Sequence, residues 1–431
     1  MLLPRSHRFV IALAAVLCGV TARAQPAHPP GWNPTDSIRQ LTTYRPAHDT
    51  VTLLAPARIG RYARADSAAW MAYLARSRAL HARDTASMNA ELRRVGRDTM
   101  TRAPYAHDFD VKPSMTPAWF ATDSARRMAE HVLSYQAPNG GWSKHVDFTR
   151  SPRAPGQSYF AETNAWSWIS TFDNSATTEE IRFLALADRA RPDARYRAAA
   201  LRGLDYVLAA QMPSGCWPQS WPLEGSYHDA ATFNDGVMVN VMELLDSTAA
   251  GAYAFVPAAL RDRARAASAR GLECVLRAQV VVDGKRTVWG QQHDPLTLAP
   301  TSARSYELTS LTGSESVGVV DYLMRLPRPS ARVVAAVHAA ADWYRATVIH
   351  DHVYDATQTY RAEPGAPPLW ARLYEIGTNR PIFSNRDGVL LYDWDRLTDR
   401  RRGYGWFTTA PAEMLARYDA WAKSHPRAAR Q

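Results

Sequence analysis

Gln136-Ala-Pro-Asn-Gly-Gly-Trp142 is the first of three related stretches in this 431-residue chain; the others are Gln211-Met-Pro-Ser-Gly-Cys-Trp217 and Gln279-Val-Val-Val-Asp-Gly-Lys-Arg-Thr-Val-Trp289. Each follows a segment with helical periodicity and then places a Gln, a turn that contains Gly, and a Trp in the same order. Pro and Gly directly after a helical pattern are signals that the helix ends. The copies lie about 70 residues apart, and that spacing leaves room for two helices and their loops in each repeat.

Further helical patterns lie between and after the three copies, at residues 179–190, 235–245, 314–325 and 331–348. β-branched runs with the period of a strand are scarce. Stacked helical hairpins of this kind predict a mainly α fold, an α/α toroid or partial α/α barrel, whose long loops form a substrate cleft. The Trp of each copy then either lines that cleft or closes the top of its helix pair.

The N-terminal region divides into two parts. Residues 1–24 have the plan of a secretory signal peptide, with Arg5 and Arg8, an apolar run at 9–20, and a small-x-small site at 22–24. That run is too short to span a membrane, so we expect a secreted or periplasmic protein. Residues 25–110 are predicted to be an extended and helical lead-in, with a helix at 67–94 that breaks near Asp84. Residues 111–425 are predicted to be the toroid domain.

The composition fits a globular protein with a basic surface. Hydrophobic residues make up 46% and charged residues 21% of the chain, and the formal net charge is +10. Such a charge suits nucleic acid, anionic lipid or an acidic polysaccharide, and the charge alone does not choose among them. Cys216 and Cys274 follow the signal. An oxidising compartment permits a disulfide between them, but their positions in the sequence do not decide whether they pair.

Two pairs of Asx residues come at predicted helix starts, Asp173-Asn174 and Asn234-Asp235. Asp and Asn at a helix start are first of all N-caps. The same side chains present hard oxygen ligands, which suit Ca²⁺ better than a transition metal. The residues alone leave both interpretations open.

Three arginines, Arg304, Arg380 and Arg386, lie in loops rich in Gly, Ser and Asn rather than on amphipathic helices. A guanidinium group matches a carboxylate with two parallel hydrogen bonds, so an anionic substrate would explain these arginines. Structural pairing with nearby acidic residues would explain them equally well.

Five ordered stretches resemble polysaccharide lyase family 10, the pectate lyases. They are QAPNGGWSKHVDF (136–148), TFDNSATTEEIRFLA (171–185), residues 203–242, residues 282–324, and YEIGTNRPIFSNRDG (374–388). Together they extend over most of the chain. Two departures concern the subsites rather than the reaction: His145 stands where the family commonly has Asn, and Cys216 replaces a Gly.

The resemblance implies an enzyme that cleaves α-1,4-polygalacturonate, or pectate, by calcium-assisted β-elimination and yields 4,5-unsaturated oligogalacturonides. It implies that Arg304 and Asp173 are catalytic, with Arg304 as the base, and that Asp173 and Asp235 bind Ca²⁺. The substrate-binding residues that it implies are Lys144, Asn174, His228, Asn234, Tyr306, Arg380 and Arg386. Nucleic acid and membranes are not expected partners, and the protein is expected to be a monomer.

An arginine base is chemically demanding, because its pKa lies above about 12 in proteins. We expect Ca²⁺ and neighbouring arginines to lower that pKa, and we expect activity to rise at alkaline pH.

Three alternatives remain beside a lyase. A polyuronide glycoside hydrolase needs two carboxylates across the bond, and Asp173 and Asp235 would serve as that pair. A non-catalytic protein that binds acidic polysaccharides is the second alternative. The Gln-x-x-x-Gly-x-Trp pattern also occurs in triterpene cyclases, but the sequence lacks the Asp-x-Asp-Asp acid motif that they need.

Overall fold

The computed structural model describes residues 54–112, 114–162, 170–355 and 357–427. The predicted signal peptide and the lead-in as far as residue 53 lie outside the described residues. Within the described part of the chain, no helix is both long and apolar enough to cross a membrane.

The helices of the described residues are α1 (Pro56–Tyr62), α2 (Ser67–Arg94), α3 (Pro117–Phe120), α4 (Asp123–Ser134), α5 (Thr178–Ala190), α6 (Ala194–Ala210), α7 (Val237–Ala249), α8 (Ala258–Ala278), α9 (Glu315–Arg325), α10 (Ala331–Ala346), α11 (Asp399–Arg402) and α12 (Ala410–Ala422).

Successive helices alternate between two layers. Helices α4, α6, α8 and α10 pack side by side in one layer, and α5, α7, α9 and α12 pack in the other. Their bounds agree closely with the periodic segments of the sequence. The predicted mainly α fold class, an α/α toroid, is therefore confirmed.

The tryptophan of each repeat closes the end of its own helix pair. Trp142, Trp217 and Trp289 are fully buried, and the indole N–H of each donates at 2.8 Å to a carbonyl in the last turns of the preceding helix. Trp370 does the same after α10, so the structure contains a fourth copy that the sequence pattern did not reveal. The buried indole groups do not line a cleft.

The glutamine of each repeat ties its turn to the next helix of the same layer. The Gln136 amide donates to the carbonyl of Gly140 in its own turn and to that of Ala199 in α6. Gln211 and Gln279 repeat both bonds, the second one to α8 and α10 respectively. One side chain thus bonds a carbonyl of its own turn and a carbonyl inside the neighbouring helix, and so ties the turn to that helix.

Short antiparallel strands link the loops of successive repeats. The strands are β1 (Ser170–Thr171), β2 (Ser220–Trp221), β3 (Ala231–Thr232), β4 (Val281–Val282), β5 (Lys285–Arg286), β6 (Gln292–His293), β7 (Pro300–Thr301), β8 (Leu311–Thr312), β9 (His352–Tyr354), β10 (Tyr360–Ala362), β11 (Trp370–Ala371), β12 (Leu373–Tyr374), β13 (Phe383–Ser384), β14 (Leu390–Leu391) and β15 (Phe407–Thr408). The pairings are β1–β2, β3–β6–β7, β4–β5, β8–β12, β9–β10, β11–β15 and β13–β14. In register, Ser170 lies opposite Trp221 and Ala231 lies opposite His293.

The N-terminal helices pack against the repeats. Helix α2 runs without a break from residue 67 to 94, so the predicted break near Asp84 is wrong. Asp84 is instead buried and accepts a hydrogen bond from Asn139 in the first repeat turn. The Tyr73 hydroxyl donates to the carbonyl of Ala210, and its ring lies 4.6 Å from that of Trp221.

A disulfide joins Cys216 to Cys274, with 5.6 Å between their Cα atoms. It links the second repeat turn to α8, the same two elements that the Gln211 amide connects. The question that the sequence left open is therefore settled in favour of pairing.

Candidate active site

Two matching turns bring the predicted acidic residues together. The turn Asp173–Ser175 follows β1 and the turn Asn234–Gly236 follows β3, so both occupy the same place in successive repeats. Asn174 and Asp235 have left-handed backbones, with φ of 51° and 49°, which Asn and Asp tolerate better than most residues. Neither turn gives a side-chain cap to the following helix. The N-cap interpretation of these residues is therefore wrong.

Both turns line a cavity of about 340 Å³. The predicted site residues that border this cavity are Lys144, Asp173, Asn174, Asn234, Asp235 and Arg304. Its other lining residues are Tyr105, His107, His145, Glu162, Gln219, Tyr227, Gln292, Glu307, Arg372 and Tyr404.

Lys144 sets the charge of Asp173. Its ammonium nitrogen lies 2.6 Å from Asp173 Oδ2. Burial by itself raises the pKa of Asp173, but the attraction of Lys144 outweighs burial and holds the pKa below its usual value. At Asp235 the balance is reversed: burial first, and then the charge of Asp173, raise the pKa to about 7. The two carboxylates therefore repel each other at the lining of one cavity, where Asp173 is buried and Asp235 is exposed.

A divalent cation suits this pair of carboxylates. Asp173 Oδ1 is buried and has no hydrogen-bond partner among the described residues, and the amide groups of Asn174 and Gln219 border the same space. Such hard oxygen donors are the ligands that Ca²⁺ takes. The described residues contain no group of three or more His, Cys, Asp or Glu side chains that could hold a metal. The other ligands of a cation would come from amides, water or an anionic substrate.

Glu307 holds Arg304, another lining residue of the cavity, in place. Glu307 Oε2 accepts from Arg304 Nε at 2.8 Å, and Glu307 Oε1 accepts from Nη2. The Tyr404 hydroxyl also donates to Glu307 Oε1. Burial by itself lowers the pKa of Arg304, but the hydrogen bonds and charge of Glu307 outweigh it and hold the pKa above its ordinary value. Among the described residues, Glu307 is thus the neighbour that most raises the pKa of Arg304, and the lowering expected from Ca²⁺ stays a prediction.

Arg372 is a cavity residue that the sequence analysis missed. Its guanidinium donates to Glu315 and, at 3.2 Å, to Asn234 Oδ1, and it lies 4.6 Å from the centre of the Tyr404 ring. The interaction with Asn234 places a second arginine beside the turn that carries Asn234 and Asp235.

The position of Arg372 follows a rule of the repeat that the sequence could have revealed. The residue two places after each repeat tryptophan is Lys144, Gln219, Gln291 or Arg372. Lys144, Gln219 and Arg372 border the cavity, and the Gln291 amide donates to Asn234 and Glu315. Recognition of Trp370 as the fourth copy would have identified Arg372.

Four predicted substrate-binding residues lie outside this cavity. His228 is buried behind it, 3.0 Å from Glu224, and borders a smaller space beside Lys144 and Asp173. Tyr306 is buried with its ring 5.0 Å from that of Tyr404.

The two remaining predicted arginines lie further along the loops. Arg386 lies 5.8 Å from the centre of the Tyr306 ring. Arg380 lies over Tyr392 in a separate cavity of about 520 Å³, with Trp394 and Phe407 in its lining. The structure therefore does not place Arg380 in the cavity that Asp173, Asp235 and Arg304 line.

Comparisons with known proteins agree with this geometry. The family described as pectic acid lyase matches residues 136–415. A solved Asp-to-Ala mutant of the family 10 polysaccharide lyase from Cellvibrio cellulosa, in complex with trigalacturonic acid, is 34% identical with a TM-score of 0.63, over 72% of this chain and 96% of that chain. Another structure of the family 10 polysaccharide lyase from that organism is 33% identical with a TM-score of 0.62, over 73% and 98% of the two chains. Among curated proteins, no sequence matches.

The family match spans the four tryptophan turns and both turns that carry the acidic residues. The relatives' own chains are covered almost completely. The chain therefore belongs to the pectic acid lyase family and is a pectate lyase.

Proposed function

We propose that this protein is exported and cleaves α-1,4-polygalacturonate by calcium-assisted β-elimination, which releases 4,5-unsaturated oligogalacturonides. One observation carries the proposal: the buried carboxylate of Asp173 and the more exposed carboxylate of Asp235 repel each other in one cavity that Arg304 and Arg372 also line. The complex of a 34%-identical relative with trigalacturonic acid supports the substrate. The signal-peptide pattern and the Cys216–Cys274 disulfide support export, because disulfides persist in oxidising compartments.

Asp173 and Asp235 would hold the calcium ion, with amide oxygens such as that of Asn174 completing the site on the protein side. When bound, Ca²⁺ supplies positive charge that stabilises the carboxylate of the substrate as negative charge develops on it. Arg372 would bind the same carboxylate group, because its guanidinium lines the same cavity and donates to Asn234.

Arg304 would remove the proton from C5 of the galacturonate residue. That proton is acidic because C5 is next to the carboxylate. As the C5–H bond breaks, its electrons form the double bond between C4 and C5, the C4–O bond breaks, and the leaving oxygen is protonated by water. Glu307 orients the guanidinium through Nε and Nη2. The neutral form of Arg304 is scarce at neutral pH, so the rate should rise with pH.

The test is to incubate the mature protein with polygalacturonate at alkaline pH and to follow the ultraviolet absorbance of the unsaturated product, with and without EDTA. We expect a calcium-dependent rise that Asp173→Ala and Arg304→Ala both abolish. New reducing ends without that absorbance would mean hydrolysis, and they would overturn the proposed chemistry. Retention of full activity in EDTA would overturn the calcium assignment alone.

A further inference from the structure

The catalytic cavity has a wall that lies outside the family match. Residues 101–108, here called the N-terminal strap, precede the matched region, which begins at residue 136. Two residues of the strap, Tyr105 and His107, line the cavity.

Backbone hydrogen bonds hold the strap in place on both sides. Thr101 pairs with Gln157 and Tyr105 pairs with Val146 as isolated β-bridges. The Ala106 N–H donates to the carbonyl of His145 at 3.0 Å, and the carbonyl of Pro104 accepts from the N–H of Asp147 at 2.9 Å. The strap is therefore an ordered wall of the cleft.

Tyr105 presents an aromatic ring to the cavity. Its side chain is 55% exposed, and it is the only aromatic residue among the exposed large hydrophobic side chains of the described residues. Its ring lies 5.4 Å from that of His145, with 32° between their planes, so it has a fixed neighbour on one side. An aromatic ring that is exposed at the lining of a polar cleft can bury its apolar face against a ligand, and the C–H face of a pyranose ring provides a matching surface.

The contacts of Tyr105 lead to an acidic side chain, that of Glu162. A chain of contacts leads from Tyr105 through His145 to Glu162, at 3.0 Å, and from Glu162 to Lys144, at 3.9 Å. Lys144 is also paired with Asp173. The carboxylate of Glu162 is 38% exposed, so a sugar on Tyr105 would place its own carboxyl group near an acid whose cationic neighbours are already engaged.

We propose that the N-terminal strap forms an additional sugar subsite, in which Tyr105 stacks on a galacturonate residue whose carboxyl group is methyl-esterified. The proposal rests on the proposed function, because it assumes that a galacturonate chain occupies the cavity. Esterification removes the negative charge that Glu162 would repel and leaves the apolar face of the ring available to Tyr105. The enzyme would thereby accept partly esterified pectin with the ester placed at this subsite.

The test is to titrate two hexagalacturonates, one fully ionised and one partly methyl-esterified, into the full-length protein by calorimetry in EDTA. Tyr105→Ala should weaken binding of the esterified hexamer about tenfold, as loss of one aromatic contact of roughly 1.4 kcal/mol would do. Tyr105→Phe, which keeps the ring, should bind within about twofold of wild type. An equal affinity of wild type and Tyr105→Ala for the esterified hexamer would overturn the proposal.

The variant Glu162→Gln provides an independent test of the same proposal. It should raise the affinity for the ionised hexamer and leave the esterified hexamer nearly unchanged, because it removes only the repelling charge. A loss of affinity for both hexamers would contradict the assigned role of Glu162. Failure of the proposed function can be distinguished from failure of the subsite. Wild-type protein that binds the hexamers but forms no unsaturated product with calcium would refute the lyase chemistry. The comparison of the two hexamers would still decide whether the subsite exists.

Discussion

Glu307 has two opposing effects on Arg304: it orients the guanidinium group, and it stabilises the protonated form of that group. Glu307 fixes the plane of the guanidinium by accepting from Nε and Nη2. The same carboxylate stabilises the cation and raises the pKa of Arg304. The residue that we propose as the base is therefore held in its protonated form by its own positioning partner.

Glu307→Gln should move the rising limb of the pH–rate profile to lower pH. A neutral amide no longer stabilises the cation, so the pKa of Arg304 falls and its neutral form becomes more abundant at a given pH. A hydrogen bond to a charged group contributes roughly 1.5–3 kcal/mol, which corresponds to about one to two pH units. The measurement is kcat/KM against pH, with Tyr404→Phe as the control, because that change removes a hydrogen bond to Glu307 without removing its charge. A lower rate with an unchanged limb would mean that Glu307 only positions Arg304.

Arg372→Lys should lower kcat/KM for polygalacturonate about 10- to 100-fold, the range expected when a charged hydrogen bond is lost. Lysine keeps the positive charge beside Glu315, so folding should be preserved, but it cannot reproduce the planar fork of arginine. Arg380→Lys is the matched control and should stay within about twofold of wild type, because Arg380 lies in the other cavity. If Arg380→Lys lost as much activity as Arg372→Lys, the second cavity would belong to the substrate path.

At the scale of the element, each repeat carries its functional residues at fixed places. The residue two positions after the tryptophan borders the cavity in three of the four repeats, and the turn before the next helix borders it in two, whereas the Gln and Trp of the repeat are structural. A pattern can therefore show which positions face a cleft before any contact is known. It could not show that Asn174 and Asp235 adopt left-handed backbones, because that depends on how the two turns pack against each other.

The third repeat lacks one bond that the first two make. Arg202 and Arg270 donate to the side-chain oxygens of Gln136 and Gln211. Each arginine lies three residues after the alanine whose carbonyl accepts from that glutamine. In the third repeat the equivalent residue is Ala339, and Gln279 Oε1 is buried without a partner in the described part of the chain.

Ala339→Arg should therefore stabilise the protein. A new charged donor to a buried, unpaired oxygen contributes roughly 1.5–3 kcal/mol to the free energy of unfolding. Thermal unfolding by calorimetry measures the effect, and Ala335→Arg on the exposed face of the same helix is the control for helix propensity and charge. Equal melting temperatures for the two variants would show that residue 339 does not reach the third turn as its counterparts do.

At the scale of the whole molecule, the sequence predicted the architecture and much of the site. The repeat gave the helix pairs, and the resemblance gave Asp173, Asp235 and Arg304, which the fold brings to one cavity. The sequence did not predict Tyr105, because an exposed ring in a lead-in segment gains meaning only when the strap is seen to pair with residues 145–147. It also predicted that Arg380 binds substrate, but a loop arginine beside a family motif does not reveal which of two cavities it borders, and its role stays a prediction.

The disulfide also belongs to this scale, because it connects two repeats. In the first repeat, Gly141 lies against Tyr206 of α6. In the second repeat, Cys216 lies five residues after the Gln, which is the place of Gly141 in the first repeat. Cys274 lies three residues after Gly271 of α8, which is the place of Tyr206 in α6. A covalent bond in the second repeat therefore replaces a glycine–tyrosine contact in the first. The bridge closes a loop across a sequence separation of 58 residues, for which the loss of chain entropy in the unfolded state predicts a stabilisation of about 4 kcal/mol.

A variant with both Cys216→Ala and Cys274→Ala should therefore unfold at a lower denaturant concentration than wild type, while its kcat/KM at low temperature stays close to that of wild type. Activity should survive because the Gln211 amide still connects the same turn to α8 and neither cysteine borders the catalytic cavity. Urea unfolding followed by tryptophan fluorescence measures the change. A reducing agent should destabilise wild type to the level of the variant and leave the variant unaffected. If reductant destabilised both proteins equally, the stabilisation would not arise from this bridge.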